Sequence, residues 1–106
     1  MSDYVFSERP VVVNYDIDLD WYANEEDLTI IASVQAAVAN AVDEFVLWTK
    51  SKITRDIIPD ELIRRVLNVG AKRTVLRSPA YRLGGYNEVA IAQNITLNFA
   101  GLEPVL

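Results

Sequence analysis

Three aspartates recur at alternate positions in the first fifth of the chain: Asp16, Asp18 and Asp20. Carboxylates at this spacing resemble the opening of a calcium loop, and a pair of them could also serve as acid and base. However, Trp21 stands where a calcium loop needs glycine, and apolar residues separate the acids in strand rhythm. The pattern therefore favours three carboxylates about 6.6 Å apart on one face of a strand.

The composition removes most other reactive centres. The chain has no cysteine and no histidine, which excludes disulfides, thiolate nucleophiles, imidazole bases and nearly every structural zinc arrangement. We predict no catalytic residue, no cofactor and no metal ligand. A carboxylate-based hydrolase that uses the aspartates with a divalent ion is kept as an alternative, which metal-dependent thermal stabilisation would reveal.

The charge balance bears on the class of partner. Ten basic and fifteen acidic residues give a formal charge of −5, which disfavours a nucleic-acid backbone. Nine of the ten basic residues lie between Lys50 and Arg82, so the two halves of the chain carry opposite charge and could meet a charged neighbour. Gly84 and Gly85 do not lie on a strand-to-helix turn, so they predict a hairpin loop and not a phosphate cradle.

A long helix is predicted from Glu25 to Lys50, with Asn24 as its cap. Its apolar stripe consists of Leu28, Ile31, Val34, Ala37, Val38, Ala41, Val42, Phe45 and Trp48. A helix of this length measures about 39 Å, whereas a compact domain of this size is about 34 Å across. We therefore expect one helix end to overhang, with Phe45 and Trp48 available to a neighbouring chain.

Two long runs with a period of two predict strands. The first extends from Val11 to Ala23, and the second from Val89 to Phe99 with Val89, Ile91, Ile95, Leu97 and Phe99 facing inward. Gln93 interrupts the second run, which indicates a bulge, a polar partner inside or a sheet edge.

Shorter elements lie between the two long runs. A second helix begins at Pro59 and stops at Gly70, with ion pairs from Asp60 to Arg64 and from Glu61 to Arg65. A short strand follows over residues 72–78.

These elements predict an α+β two-layer sandwich: a three-stranded, mainly antiparallel sheet covered on one face by two helices, in the order β-α-α-β-β. We expect the last two strands to form a hairpin and the first strand to lie beside the long third one. Residues 1–9 are predicted to be a flexible N-terminal segment, and residues 10–106 a single domain. No apolar run approaches the ~20 residues that span a bilayer, so no membrane is expected.

Several segments resemble a known family. They are SERPVVVNYDIDLDWY, WTKSKITRDIIPDELIRRVLNVGAKRTVLRSPAY and NEVAIAQNITLNFAGLE. Together they are similar to the C-terminal region of baseplate J-like proteins of contractile phage tails and prophage-derived injection systems. The shared features include RD-x-x-P at 55–59, VGAKR at 69–73, SP at 78–79 and GLE at 101–103. The family often has glycine where Thr54 stands and asparagine where Ile58 stands, which predicts a looser turn and an uncapped second helix.

The resemblance implies a structural, non-enzymatic role in the virion tail baseplate, assembled in the bacterial host cytoplasm. The implied partners are other baseplate wedge and hub proteins and copies of the chain itself, with no nucleic acid and no membrane. Since the family's proteins are longer, the resemblance implies either an excised C-terminal piece or a shortened relative, and the patternless first nine residues favour excision. The candidate interface residues are Phe45, Trp48, Lys52, Arg55, Asp56, Gly101, Leu102 and Glu103. The alternative is a small-ligand or regulatory module with a pocket near Gln93 and Tyr15.

Overall fold

A computed structural model describes residues 9–104 of the chain. Strand β1 and a 3-10 segment precede helices α1 and α2, and strands β2 and β3 complete the order β-α-α-β-β, as predicted. Their bounds are Val11–Asn24 (β1), Glu25–Ile30 (3-10 segment), Ile31–Lys50 (α1), Pro59–Asn68 (α2), Arg73–Ser78 (β2) and Glu88–Glu103 (β3). The predicted flexible segment lies outside the described residues except for Arg9.

The three strands form one sheet in the order β2-β1-β3. The α+β sandwich and the pairing of β1 with β3 are confirmed. The sheet is mixed rather than mainly antiparallel, because β1 is antiparallel to β2 and parallel to β3. The predicted hairpin of β2 and β3 is wrong, since β1 lies between them. Parallel strands need a long crossover, which the two helices and β2 supply between β1 and β3.

The core lies between β1 and the two helices. Every second residue of β1 from Tyr15 to Ala23 is buried, and these side chains meet the buried stripes of α1 and α2. The buried apolar residues at the centre are Ile17, Leu19, Trp21, Val34, Val38, Val42, Phe45, Leu62 and Val66. The strand period of two and the helical period of three to four thus place the predicted stripes on facing surfaces.

The predicted long helix is divided into two parts. Residues Glu25–Ile30 form a 3-10 segment with no buried residue, and Leu28 of the predicted stripe is 63% exposed. Asn24 makes no side-chain cap hydrogen bond, so its predicted role as a cap is wrong. The α-helix proper begins at Ile31, where the chain first packs over the core.

The elongated shape of the molecule comes from its strands. The principal extents are 61 × 21 × 21 Å, whereas we expected a globule about 34 Å across. The sixteen residues of β3 span about 53 Å, and α1 with its twenty residues spans about 30 Å. The predicted overhang of the helix is therefore wrong, because the sheet is longer than the helix.

Two register shifts divide β3. One lies opposite Tyr15 to Ile17 and the other opposite Trp21 to Tyr22. Of the three interpretations of Gln93, the bulge agrees with the first shift, and β3 is also an edge strand. A bulge inserts one residue and reverses the alternation beyond it. For that reason Ala90 faces the core, and the predicted inward direction of Val89 and Ile91 is wrong.

The expectation that no segment approaches the length of a membrane span needs a correction, because Glu25–Lys50 as a whole is long and apolar enough, by length and composition, to cross a membrane. Soluble core helices pass the same criterion, and the side chains of α1 decide how to interpret it. Val38, Val42 and Phe45 are buried against the sheet, whereas Asp43 and Glu44 are exposed. The segment has the one-sided pattern of a helix that covers the core of this domain.

Candidate assembly surfaces

Phe45 and Trp48, the predicted aromatic interface residues, have different environments. Phe45 is fully buried, and its ring lies edge-on to Tyr15 with 6.3 Å between centroids. Trp48 is half-buried with its centroid 5.8 Å from that of Phe45. Phe45 therefore belongs to the core of this chain, and Trp48 keeps an accessible surface.

Arg55 and Arg65 both approach the ring of Trp48, at 4.3 Å and 5.8 Å from the guanidinium carbon to the centroid. Nη1 of Arg55 also donates a hydrogen bond of 3.1 Å to the carbonyl of Trp48. A cation at this point neutralises the negative end of the α1 dipole. Arg55 thus closes the C-terminal end of α1.

Asp56 secures the loop that leads from β2 to β3. Its carboxylate accepts hydrogen bonds from the backbone N–H of Gly84 at 2.8 Å and from the hydroxyl of Tyr81 at 3.3 Å. A Cβ at position 84 would lie 2.5 Å from the carbonyl oxygen of Thr54, so only glycine permits this approach. Gly84 therefore serves close packing of two loops, and its predicted place in a hairpin turn is wrong.

The turn between the helices keeps a conformation that suits glycine. Thr54 has φ +65°, and its N–H donates to the carbonyl of Glu88 at 2.7 Å. The predicted lack of a cap on α2 is confirmed, since Ile58 makes no side-chain cap hydrogen bond. Thr54 thus adopts the left-handed backbone conformation that glycine would favour in this turn, and it does so with local strain.

The remaining predicted interface residues fall into two groups. Lys52 is exposed in the turn that also holds Arg55 and Asp56, near the start of β3. Gly101, Leu102 and Glu103 lie at the far end of β3. The structure therefore places the eight candidates at opposite ends of a long strand and does not bring them into one site.

The end of β3 is shaped by Gly101, which adopts φ +139° at the second bulge. This bulge brings Leu102 opposite Ala23 on the core face of the sheet. Glu103 then faces the other side and accepts a hydrogen bond of 2.6 Å from Arg73.

The three aspartates are engaged on the outer face of the sheet. Arg77 donates to Asp18 and Asp20 at 2.8 to 3.1 Å. These hydrogen bonds lower the pKa of Asp18 and, with help from Asn98, lower the pKa of Asp20 to about 2. Within residues 9–104 there is no group of three acidic side chains arranged to hold a metal ion. Asp18 and Asp20 thus act as ion-pair partners of β2, whereas Asp16 accepts hydrogen bonds from Asn94 of β3.

An apolar surface lies along β3, and Leu102 is its single member among the predicted interface residues. Ile95, Phe99 and Leu102 pair in register with the buried residues of β1 and share their face, yet they remain 45%, 37% and 37% exposed. We call these three side chains the open face of β3. The alternating pattern predicted the inward direction of Ile95 and Phe99, whereas the direction of Leu102 follows from the second bulge. The exposure of all three depends on how far the helices extend over the sheet.

A groove of about 440 Å³ lies beside β1, beyond the point where β2 ends. Tyr15 and Gln93 both line it, together with the loop residues Pro79 to Arg82. The Tyr15 hydroxyl is hydrogen-bonded to the hydroxyl of Thr49 at 2.7 Å, and burial raises the pKa of Tyr15. No buried side-chain nitrogen or oxygen in the described part of the chain lacks a partner. The groove therefore offers space but no unpartnered buried polar group.

Comparison with known proteins identifies the domain. The family model for the baseplate J-like protein C-terminal domain matches residues 17–98, which extend from the buried half of β1 through both helices and β2 into the open part of β3. A search of curated proteins finds no match. Because the family model covers more than half of the chain, this protein belongs to the family of baseplate J-like protein C-terminal domains.

Proposed function

We propose that this domain is a structural component of a phage or prophage-derived contractile tail baseplate, and that it acts by protein–protein assembly and not by catalysis. Family membership supports the baseplate role. The open face of β3 supports assembly, because apolar side chains on the core side of a sheet are normally covered. This surface is the observation that carries the proposal.

The absence of catalysis is proposed from the state of the polar groups. The strongest carboxylate cluster, Asp18 and Asp20, is neutralised by Arg77, and its lowered pKa values are opposite to those of a general acid at neutral pH. Ion pairs of this kind keep strands in register. They do not leave a carboxylate free to take up or release a proton.

The partners that we propose are other wedge and hub proteins of the baseplate and further copies of this chain. The domain would join them in the host cytoplasm and remain in the virion tail baseplate. Each contact should bury on the order of 800 Å² per partner, as stable protein interfaces do.

Purified tail particles provide the experiment. We expect an epitope-tagged chain to co-purify with intact tails, and Phe99→Asp to lose this association because a carboxylate would replace an apolar contact. Ala36→Asp on the exposed side of α1 is the matched control. Absence of the wild-type chain from purified tails would contradict the proposal, as would equal incorporation of all three forms.

The groove beside β1 favours a second candidate, a small-ligand or regulatory module. Its test is nuclear magnetic resonance of the labelled domain with a library of small polar metabolites. Saturable shifts confined to Tyr15, Gln93 and residues 79–82 would support ligand binding. If the domain serves assembly alone, those resonances stay unchanged.

A further inference from the structure

The exposed edge of β3 points to one specific contact. We propose that β3 pairs antiparallel with β3 of a second copy across a two-fold axis, joining two three-stranded sheets into one of six strands. The inference rests on the proposed function, because it names one partner and one geometry for assembly.

One side of β3 has no neighbouring strand in the part of the chain that the structure describes. Within residues 9–104, β3 pairs on one side only, with β1. Between Glu88 and Glu103 it contains neither a charged residue nor a proline. Edge strands that must not pair are usually short, or carry lysine or proline. The carbonyl of Glu88 and the N–H of Asn94 are already bonded to Thr54 and Asp16. Beyond these two groups, the edge of this long strand is available to a further strand.

The charge distribution favours a second copy as the partner. A two-fold contact brings a surface against itself, so the surface must be self-complementary. An uncharged strand can face itself without repulsion. The glutamates at its ends are neutralised within the chain, Glu88 by Arg82 at 2.9 Å and Glu103 by Arg73 at 2.6 Å. The net charge of −5 thus does not lie along this edge.

The two bulges determine the register. Between them, residues 95–99 pair regularly with β1, and Ile95, Leu97 and Phe99 share the core face. An antiparallel two-fold that keeps these side chains on one face must pair odd positions with odd positions. Centring the axis on Leu97 places Ile95 opposite Phe99 of the second copy, and Thr96 opposite Asn98 on the outer face.

This register covers the apolar surface that the chain leaves open. Aromatic and β-branched side chains directly opposite each other are favourable cross-strand pairs. The two-fold axis generates the contact between Ile95 and Phe99 twice, once from each copy. Both copies therefore lose exposed apolar area on the side of the sheet that carries the helices. The hydrophobic gain adds to that of the new backbone ladder.

Sedimentation over a range of protein concentrations tests the association. We expect the wild type to form a dimer and Ile95→Lys to weaken dimerisation at least ~10-fold, because each two-fold contact would then bury two ammonium groups. Val75→Lys, at an exposed position of β2, is the matched control and should dimerise as the wild type does. A strictly monomeric wild type overturns the proposal, as does weakening by Val75→Lys but not by Ile95→Lys.

Cysteine cross-linking tests the register, since the natural chain has no cysteine. Opposed Cβ atoms in a sheet lie close enough for a disulfide. Leu97→Cys should therefore link to itself. Ile95→Cys should not, because the two copies of residue 95 lie about 13 Å apart along the strands, but it should link when mixed with Phe99→Cys. Linkage of Ile95→Cys to itself, with none for Leu97→Cys, overturns this geometry.

Self-pairing through β3 and the baseplate role can be distinguished by combining the two experiments. If the wild type is monomeric yet co-purifies with tails, self-pairing through β3 is overturned and the proposed baseplate function remains supported. A dimer with the predicted cross-links that is absent from purified tails supports self-pairing and contradicts the proposed function.

Discussion

The two edges of the sheet differ in length, charge and surroundings. β2 has six residues, carries Arg73 and Arg77, and is followed by Pro79. β3 has sixteen residues and no charge between its terminal glutamates. Both edges belong to the same sheet and flank the same central strand.

This difference shows how one fold can protect one edge and present the other. Arg77 of β2 is held by Asp18 and Asp20 of β1, and Arg73 by Glu103 of β3, so this edge is short, polar and fixed. The open face of β3 continues the core surface beyond the helices. Proteins that must avoid pairing protect both edges, so the asymmetry here supports our proposal that the β3 side of the domain serves assembly.

The largest effect is expected where the core meets the open face. Trp21 is buried and its ring lies 4.6 Å from that of Phe99. Trp21→Ala should lower the free energy of unfolding by about 3–5 kcal/mol, since it leaves a cavity. Phe99→Ala should cost clearly less because more than a third of its surface is already exposed. Urea denaturation of both variants checks this order, and equal losses would show that β3 is as much part of the core as β1.

Gly84 allows the loop from β2 to β3 to pack on the turn between the helices. Gly84→Ala should lower the free energy of unfolding by about 1–3 kcal/mol, because its Cβ would clash with backbone atoms that cannot move away easily. Ala80→Gly, at an exposed position in the same loop, is the control for loop flexibility. Thermal unfolding distinguishes them, and an unchanged melting temperature for Gly84→Ala would contradict the close approach.

The contribution of the ion pair between Arg77 and Asp20 to stability can be tested at low pH. The pKa of Asp20, about 2 in the folded chain, is lower than the usual 3.8, so its ion pair with Arg77 stabilises the fold above about pH 4 and this contribution is lost as pH falls toward 2. Arg77→Met should flatten this part of the pH–stability profile. Melting temperatures from pH 2 to 7 measure it, and identical slopes for wild type and variant would refute the role of Arg77.

The smallest expected effect is a gain in stability near the start of β3. Thr54→Gly should relieve the strain of a β-branched residue at positive φ, partly offset by the greater freedom of glycine when unfolded. We expect a net stabilisation of about 0.5–1 kcal/mol in chemical denaturation. Thr29→Gly in the exposed 3-10 segment, at ordinary φ, should destabilise instead. Loss of stability in both variants would contradict the strain.

Much of the local structure could be predicted from the sequence. Alternation along β1, the helical stripe of α1, and the Pro59 and Gly70 boundaries of α2 are local signals, because side-chain direction follows directly from backbone period. The bulge at Gln93 was also visible as a break in the pattern. The ion pair of Glu61 with Arg65 is confirmed at 2.7 Å, but Arg64 pairs with Glu61 and not with Asp60.

The surroundings of the candidate interface residues were harder to predict than the elements. Phe45 and Trp48 belong to one helical stripe, but burial separates them, and Arg55 and Asp56 hold loops of their own chain. In the open face of β3, Ile95 and Phe99 were interpreted as ordinary core, and Leu102 was predicted as an interface residue. Two signals could have identified this surface: the length of β3 relative to α1, and the lack of charged residues between the terminal glutamates of β3.

The sequence alone determined the element types, the family and the lack of thiol and imidazole chemistry, since these depend on residue identity and local spacing. Only the tertiary structure decided that β1 is central, that β3 runs parallel to it, and that Ile95, Phe99 and Leu102 remain exposed. Strand order and burial depend on contacts between residues far apart in the chain, and no local period encodes which of two apolar strands the helices will cover.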